Sequence, residues 1–468
     1  MSKAFDLVRE ETIPELNSVA KLYVHKRTRA RLLSILNDDD NKVFSINFRT
    51  TPKDSTGVPH ILEHSVLAGS EKYPVKEPFV ELLKGSLATF VNAFTSPDKT
   101  CYPIASQNVQ DFYNLIDVYM DAVLNPLLSE HTFMQEGWHY EINDANEPLT
   151  YKGVVFNEMK GAYSSPEQVL GIRIFESLFP KHVYGVVAGG DPRDIPDLTY
   201  ENFRKFWETY YHPSNAFIFF YGNDDPDTRL KLMEKYLKPY KKKKVKSVVP
   251  LAKPLKRPKK VEYFYDAGSD SDIEKKNYLV INWKLPDSSD PVLNFSLRIL
   301  GHILIGTPAS PLRKALMDSG LGEDLAGAGM ASHLRQFVFS AGLKGTRKRH
   351  AKKIEKLMFE TLQSLVRDGI DRDMIASSMN TLEFHLRENN TGSFPVGIAL
   401  MMRVLTTWMH DEDPFKLLAF EGPLNHIKQR LLADPRYFES LIQMYLLENV
   451  DRTTLRLTPD PELGRLLH

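Results

Sequence analysis

The stretch KPYKKKKVKSVVPLAKPLKRPKK, residues 238–260, constrains this chain more than any other feature. It holds four prolines and a run of lysines, with little from which to build a core. Proline lacks a backbone donor and like charges repel, so such a stretch reads as an exposed connection. It divides 468 residues into two pieces of similar size, 1–240 and 261–468, joined by a basic linker at 241–260. A polyanion-binding patch is the competing reading. Lys+Arg and Asp+Glu are both 60, however, and Tyr240 is the one aromatic in the stretch. That balance favours a linker and excludes nucleic acid or an anionic membrane as the main partner.

In the first piece, apolar runs predict strands at 19–25, 31–36, 43–49, 87–95, 100–104 and 216–221. Apolar residues at helical spacing, with glycine or proline at the ends, predict helices at 59–67, 78–84, 108–124, 130–136, 152–163 and 165–178. The second piece repeats the plan, with strands at 261–265, 278–284 and 336–343 and helices at 291–305, 348–367 and 371–388. His302-Ile303-Leu304 echoes His60-Ile61-Leu62 and sets Ile305 and Gly306 where Glu63 and His64 stand. The second domain, 261–468, therefore reads as a degenerate repeat without metal ligands. Strands and helices that interleave without regular βαβ alternation predict an α+β fold. Each of two homologous domains would be a mostly antiparallel mixed sheet covered by helices. Gly320, Gly322, Gly327 and Gly329 lack the Lys-Ser/Thr of a phosphate loop and read as a flexible turn.

Cys101 is the one cysteine, so no intrachain disulfide can form, and it reads as a packed strand residue. No apolar run approaches the ~18 residues of a membrane span. The first fifteen residues have neither the apolar core of a secretory signal nor the composition of a transit peptide. The expectation is a soluble, cytoplasmic protein.

The informative string is Pro59-His60-Ile61-Leu62-Glu63-His64. On a helix, positions i and i+4 share a face, so His60 and His64 can reach one metal ion. Glu63 lies close enough to that face to touch a water on the metal. This is H-x-x-E-H, the inverted form of the H-E-x-x-H zinc helix. Two imidazoles hold zinc loosely, so a third protein ligand is required, with one position left open. A carboxylate is the best candidate, and Glu158, Glu136 and Glu141 compete for the role.

The segments RTTPKDSTGVPHILEHSVLAGSEKYPVKEPF, LATFVNAFTSPDKTCYP, FMQEGWHYE, KGVVFNEMKGAYSSPE, GGDPRDIPDLT and YHPSNAFIFFYGN follow one another across residues 49–223. Together they resemble the presequence protease branch of the pitrilysin/insulinase-type (inverzincin) metallopeptidases, with weaker similarity from 310–325 to the C-terminus. The resemblance implies the pitrilysin-type fold and one Zn²⁺ per chain held by His60, His64 and Glu158. It maps Glu63 onto the general base, and implies peptide hydrolysis. It also places an exposed sheet edge at 88–93, where an extended peptide adds as a further strand. There Phe90 would line an apolar pocket, with core packing as its alternative, while Asn92 and Ala93 would meet the substrate backbone. Some family members carry a glutamate seven residues before the third ligand; here that position is Tyr151.

Chains of this branch are usually about twice as long, two halves closing around a chamber, and this sequence matches the zinc-bearing half. The distal half supplies an Arg/Tyr pair to substrate in related enzymes, and no residue here takes those roles. The expectation is a zinc metalloendopeptidase for short unfolded peptides that works as a homodimer or heterodimer with a second half-length chain. The rival is a weakly active or inactive subunit that binds peptides or a partner. Ligand type alone also admits other divalent metals at a His₂Glu site. By resemblance, eukaryotic members point to the mitochondrial matrix.

Overall fold

Backbone pairing sorts the strands into two large sheets, one in each of two compact units. The computed structural model describes residues 3–75, 84–142, 144, 146–268, 273–388 and 394–463. The first unit comprises Met1–Gly161, Val186–Val249 and Asn389–Leu405, and the second Ala162–Gly185, Pro250–Glu388 and Thr406–His468. The units are therefore not two uninterrupted pieces of chain: a segment of each sequence half belongs with the other.

In the first unit the strands are β1 (Phe5–Ile13), β2 (Ser18–His25), β3 (Arg31–Leu36), β4 (Lys42–Arg49), β5 (Ala88–Val91), β6 (Phe94–Ser96), β7 (Lys99–Ser106), β8 (His139–Glu141), β9 (Thr150–Lys152) and β10 (Ala216–Gly222). The large sheet runs β1-β2-β3-β10-β4-β7-β5, with β6 also on β7, while β8 and β9 form a separate hairpin. Among the described residues of this sheet only β3 and β10 pair in parallel. Every residue of β4, β7 and β10 is buried, which is why these strands read as continuous runs rather than alternating ones. The expected strand 87–95 is broken at Asn92-Ala93 into β5 and β6. The expected helix at 78–84 lies almost wholly outside the described residues. Helices α1 (Val58–Val66), α2 (Val109–Leu124), α3 (Glu130–Glu136) and α4 (Val154–Tyr163) follow, then α5 (Pro166–Leu178) in the second unit, and α6 (Tyr200–Tyr210) and α7 (Pro226–Leu237) in the first.

The second unit builds β11 (Lys259–Asp266), β12 (Asn277–Asp287), β13 (Asp324–Ala331), β14 (Gln336–Thr346) and β15 (Arg452–Asp460) into the order β11-β15-β12-β14-β13. Its helices include α8 (Pro291–Ile305), α9 (Pro311–Asp318), α10 (Ala351–Asp368) and α11 (Arg372–Glu388). Reading these five strands by chain order gives first, last, second, fourth, third. The strands β3-β10-β4-β7-β5 give the same permutation. In both sheets the first and last strands pair in parallel and every other pair is antiparallel. In both, a helix follows the second strand: α1 after β4 and α8 after β12. Each unit is thus an α+β assembly around a mostly antiparallel mixed sheet, as the sequence predicts.

Two expectations are corrected. The glycine-rich stretch contains strand β13, paired to β14, with Gly327 and Gly329 at a register shift rather than in a turn. The Pro/Lys connection has no helix or strand from 241 to 258, but it is not free of the domains. Its lysines point outward while Ser247, Val249, Ala252 and Leu255 are buried. Ser247 accepts from Arg49 Nε at 3.1 Å in the first unit, and Leu255 N–H donates to Asp451 at 2.9 Å in the second. Among the described residues no helix is long and apolar enough to cross a membrane.

Candidate metal centre

Helix α1 owes its place to its apolar face. Ile61, Leu62 and Val66 are fully buried in the core of the first unit, each worth about 1.5–3 kcal/mol by transfer from water. That leaves His60 and His64, one turn apart, half-buried on the opposite side. Gly57 precedes the helix with φ +72°, and a Cβ there would lie 2.9 Å from the Gly189 carbonyl oxygen. A glycine is therefore needed for the 186–190 segment to come this close. The Gly189 carbonyl lies 3.1 Å from His60 Nδ1. A carbonyl can only accept, so Nδ1 carries the proton and Nε2 presents a lone pair.

His64 is held in the same sense by a different group. Its Nδ1 lies 3.3 Å from Glu136 Oε2, at the end of α3. Both Nε2 atoms then converge on Glu158 of α4, with Oε2 3.5 Å from His60 Nε2 and 3.6 Å from His64 Nε2. The rings stand nearly perpendicular, at 83°, with centroids 5.0 Å apart. A tetrahedral ion with ligands at ~2.0–2.1 Å sets its ligand atoms roughly 3.3 Å apart, so spacing and donor types fit a zinc-like divalent ion. His60, His64 and Glu158 form the one such group among the described residues, with ligand atoms all within 4.8 Å of one another.

Glu158 reaches this point although its side chain is half exposed. Val155 and Phe156 anchor α4 in the core, whereas Val154 is exposed. The start of α4 is fixed by a close backbone approach: a Cβ on Gly153 would lie 2.1 Å from the Gly137 oxygen. That contact brings the ends of α3 and α4 together and so sets Glu136 and Glu158 around His64. Glu141, the other competing carboxylate, pairs with Lys152 at 2.6 Å in the β8–β9 hairpin and is not part of the group.

Glu63 is buried, and its Oε2 accepts a 2.5 Å hydrogen bond from the Thr95 hydroxyl of β6. Burial disfavours a charged His64. The hydrogen bond His64 donates to Glu136 and the charges of Glu158, Glu63 and Glu136 outweigh it, so its pKa lies above the usual imidazole value. Cys101 is buried in β7 and burial pushes its thiol up to about 12, so it is not a nucleophile. Thr95, Gly189 and the position of Glu136 were not foreseen from sequence. A backbone carbonyl carries no residue signal, and the helix-ending Glu136-Gly137 was the one available hint.

Among the described residues β5 lies at the edge of the sheet, paired with β7 alone. Phe90 on β5 is half-buried between Phe94 and Phe394, with ring centroids 6.1 and 5.5 Å away. Asn92 is exposed, but its N–H donates to Pro103 O at 3.3 Å and its carbonyl accepts from Tyr119 at 3.1 Å. Ala93 is buried, and its N–H bonds the Asn92 side chain at 2.9 Å.

Two family profiles match the chain: "Insulinase (Peptidase family M16)" over residues 49–168 and "Peptidase M16 inactive domain" over residues 197–382. The chain is 51% identical to presequence protease 1, chloroplastic/mitochondrial, of Arabidopsis thaliana, covering 98% of this chain and 43% of that protein. It superposes on a protease from Helicobacter pylori with a TM-score of 0.74 at 18% identity, covering 94% of this chain and 99% of the other. On pitrilysin the TM-score is 0.66 at 17% identity, covering 98% of this chain and 47% of the other. The chain spans about half the length of the curated relatives it matches.

Proposed function

For a chain that belongs to the M16 insulinase family of peptidases and has the pitrilysin-type fold, we propose the function of a zinc metalloendopeptidase for short unfolded peptides. His60, His64 and Glu158 would hold the ion and Glu63 would act as general base. The observation that carries this reading is the convergence of two Nε2 atoms and one carboxylate beside a buried, hydrogen-bonded Glu63. Zinc held by such a set acidifies a water and stabilises negative charge on a carbonyl oxygen. Thr95 fixes Oε2 of Glu63, and the carboxylate so held would take a proton from water and return it to the leaving amine. Gly189 and Glu136 hold the two imidazoles in the tautomer that leaves Nε2 free. The open edge of β5 would take the substrate as an added strand, with Phe90 against an apolar side chain and Asn92 and Ala93 near its backbone. A second half would close over that edge. It could lie in the same polypeptide or belong to a homodimer or heterodimer partner.

The match of residues 197–382 to the inactive-domain profile favours a second reading, a subunit that binds peptide or partner without cleaving. Metal stoichiometry and cleavage of a quenched unstructured peptide separate the two. The peptidase reading expects about one zinc per chain and turnover, alone or with a second half added. Glu63→Gln should keep the metal and lose roughly 10²–10⁴-fold in turnover. No bound metal under non-chelating conditions, or near-wild-type cleavage by Glu63→Gln, overturns it.

A further inference from the structure

Glu136 is not among the three residues assigned to the metal, yet it lies against one of them. It is buried, it closes α3 just before Gly137, and its two oxygens have separate partners. Oε1 accepts from Gln135 Nε2 at 2.9 Å, and Oε2 lies 3.3 Å from His64 Nδ1. The two nitrogens of an imidazole point to different sides of the ring. Glu136 therefore stands behind His64 while Glu158 stands in front of it, 3.6 Å from Nε2. A carboxylate in that place cannot reach an ion held by Nε2 without displacing the ring between them.

We propose that Glu136 is a positioning residue, a buried carboxylate that fixes His64 in the Nδ1–H tautomer and strengthens Nε2 as a metal donor. This deepens the metal-centre reading and rests on it. The two imidazoles are supported unequally. Behind His60 stands a neutral carbonyl, Gly189, and behind His64 a charged group. A carboxylate acceptor polarises the ring more than a carbonyl does, so His64 is the stronger donor and Glu136 the support whose loss the metal feels. The support is rigid because the Gly137–Gly153 approach ties the end of α3 to the start of α4.

The test uses the full chain and the metal alone. Zinc affinity is measured by competition with a chromophoric chelator for wild type, Glu136→Gln, Glu136→Ala and Glu158→Gln, and the cobalt-substituted forms are compared by visible absorption. Glu136→Gln keeps the shape and an acceptor oxygen but not the charge, and metal-free melting curves establish that each variant is folded. Glu136→Ala should bind zinc about 10–100-fold more weakly and shift the cobalt bands. Glu136→Gln should fall between it and wild type, and Glu158→Gln should lose more than either. Zinc affinity and cobalt spectra unchanged in both Glu136 variants overturn this assignment and leave the metallopeptidase reading standing. Loss of zinc in Glu136→Gln with retention in Glu158→Gln also overturns it, by making Glu136 the direct ligand. A wild-type chain that binds no metal overturns both.

Discussion

The two units share a strand permutation and a helix after the second strand, and they differ in what that helix carries. In the first unit α1 is nine residues long and leaves two histidines half-buried on one face. In the second, α8 runs for 15 residues and is buried along most of its length. His302, the counterpart suggested by the sequence echo, bonds Ser378 at 2.9 Å through Nδ1 instead of a carboxylate or carbonyl. Around His64 the nearby charges are Glu136, Glu158 and Glu63, whereas the charged neighbour felt by His302 is His385. The comparison teaches that this scaffold does not by itself create a metal site. Three converging donors and their acidic surroundings must be added to it, and among the described residues one unit brings such a candidate set together.

The largest expected effect breaks or sharpens that contrast directly. His60→Asn should abolish stoichiometric zinc binding and with it peptide cleavage, since two ligands hold zinc weakly. His302→Asn should leave zinc content unchanged and cost only about 1 kcal/mol of stability through the lost Ser378 hydrogen bond. Metal analysis of the two purified variants, with thermal melts, checks both. Zinc loss on changing His302 would mean that the second unit is not an inert copy.

How much of this was legible in the sequence depended on whether a feature is local. α3 and α8 match their expected spans, and the His60–His64 pair follows from helical spacing alone. β1 was missed because it is an edge strand whose buried residues are only Phe5 and Ile13, leaving no alternation to read. α6 and α7 were missed although Thr199 and Asp225 cap them, a signal that was available. The third member of the candidate metal set was not legible from pattern, because Glu136, Glu141 and Glu158 are equivalent as isolated residues. What separates them is the Gly137–Gly153 contact, a tertiary fact that no window of sequence contains. Resemblance alone singled out Glu158.

A smaller effect is expected from the hydroxyls that support each helix. Thr95→Val removes the donor to Glu63 and leaves a buried carboxylate less well fixed, which should slow turnover by roughly tenfold with little change in KM. Ser378→Ala removes the hydroxyl on His302 and should leave turnover unchanged. Steady-state kinetics on the same quenched peptide checks the pair. An equal loss in both variants would mean that the two helices are coupled through the fold rather than distinguished by chemistry.

The smallest effect is electrostatic, and it opposes the two histidines in sign. In metal-free protein, burial alone would lower the pKa of His64, but the Glu136 hydrogen bond and three acidic charges leave it raised. Burial lowers that of His302, and the charge of His385 adds to the shift. Both start from about 6.5 in the unfolded chain. Protonated His64 is favoured by the fold, so its contribution to stability is present below the unfolded pKa and is lost as pH rises through the folded one. For His302 the unfolded chain takes the proton first, so stability is lost as pH falls from about 6.5 towards the folded pKa. NMR titration of the metal-free chain should therefore find His64 titrating above the usual imidazole range and His302 below it. The opposite order would mean that the acidic surroundings of α1, and not only its ligand spacing, had been misjudged, and would remove the electrostatic half of the contrast between the units.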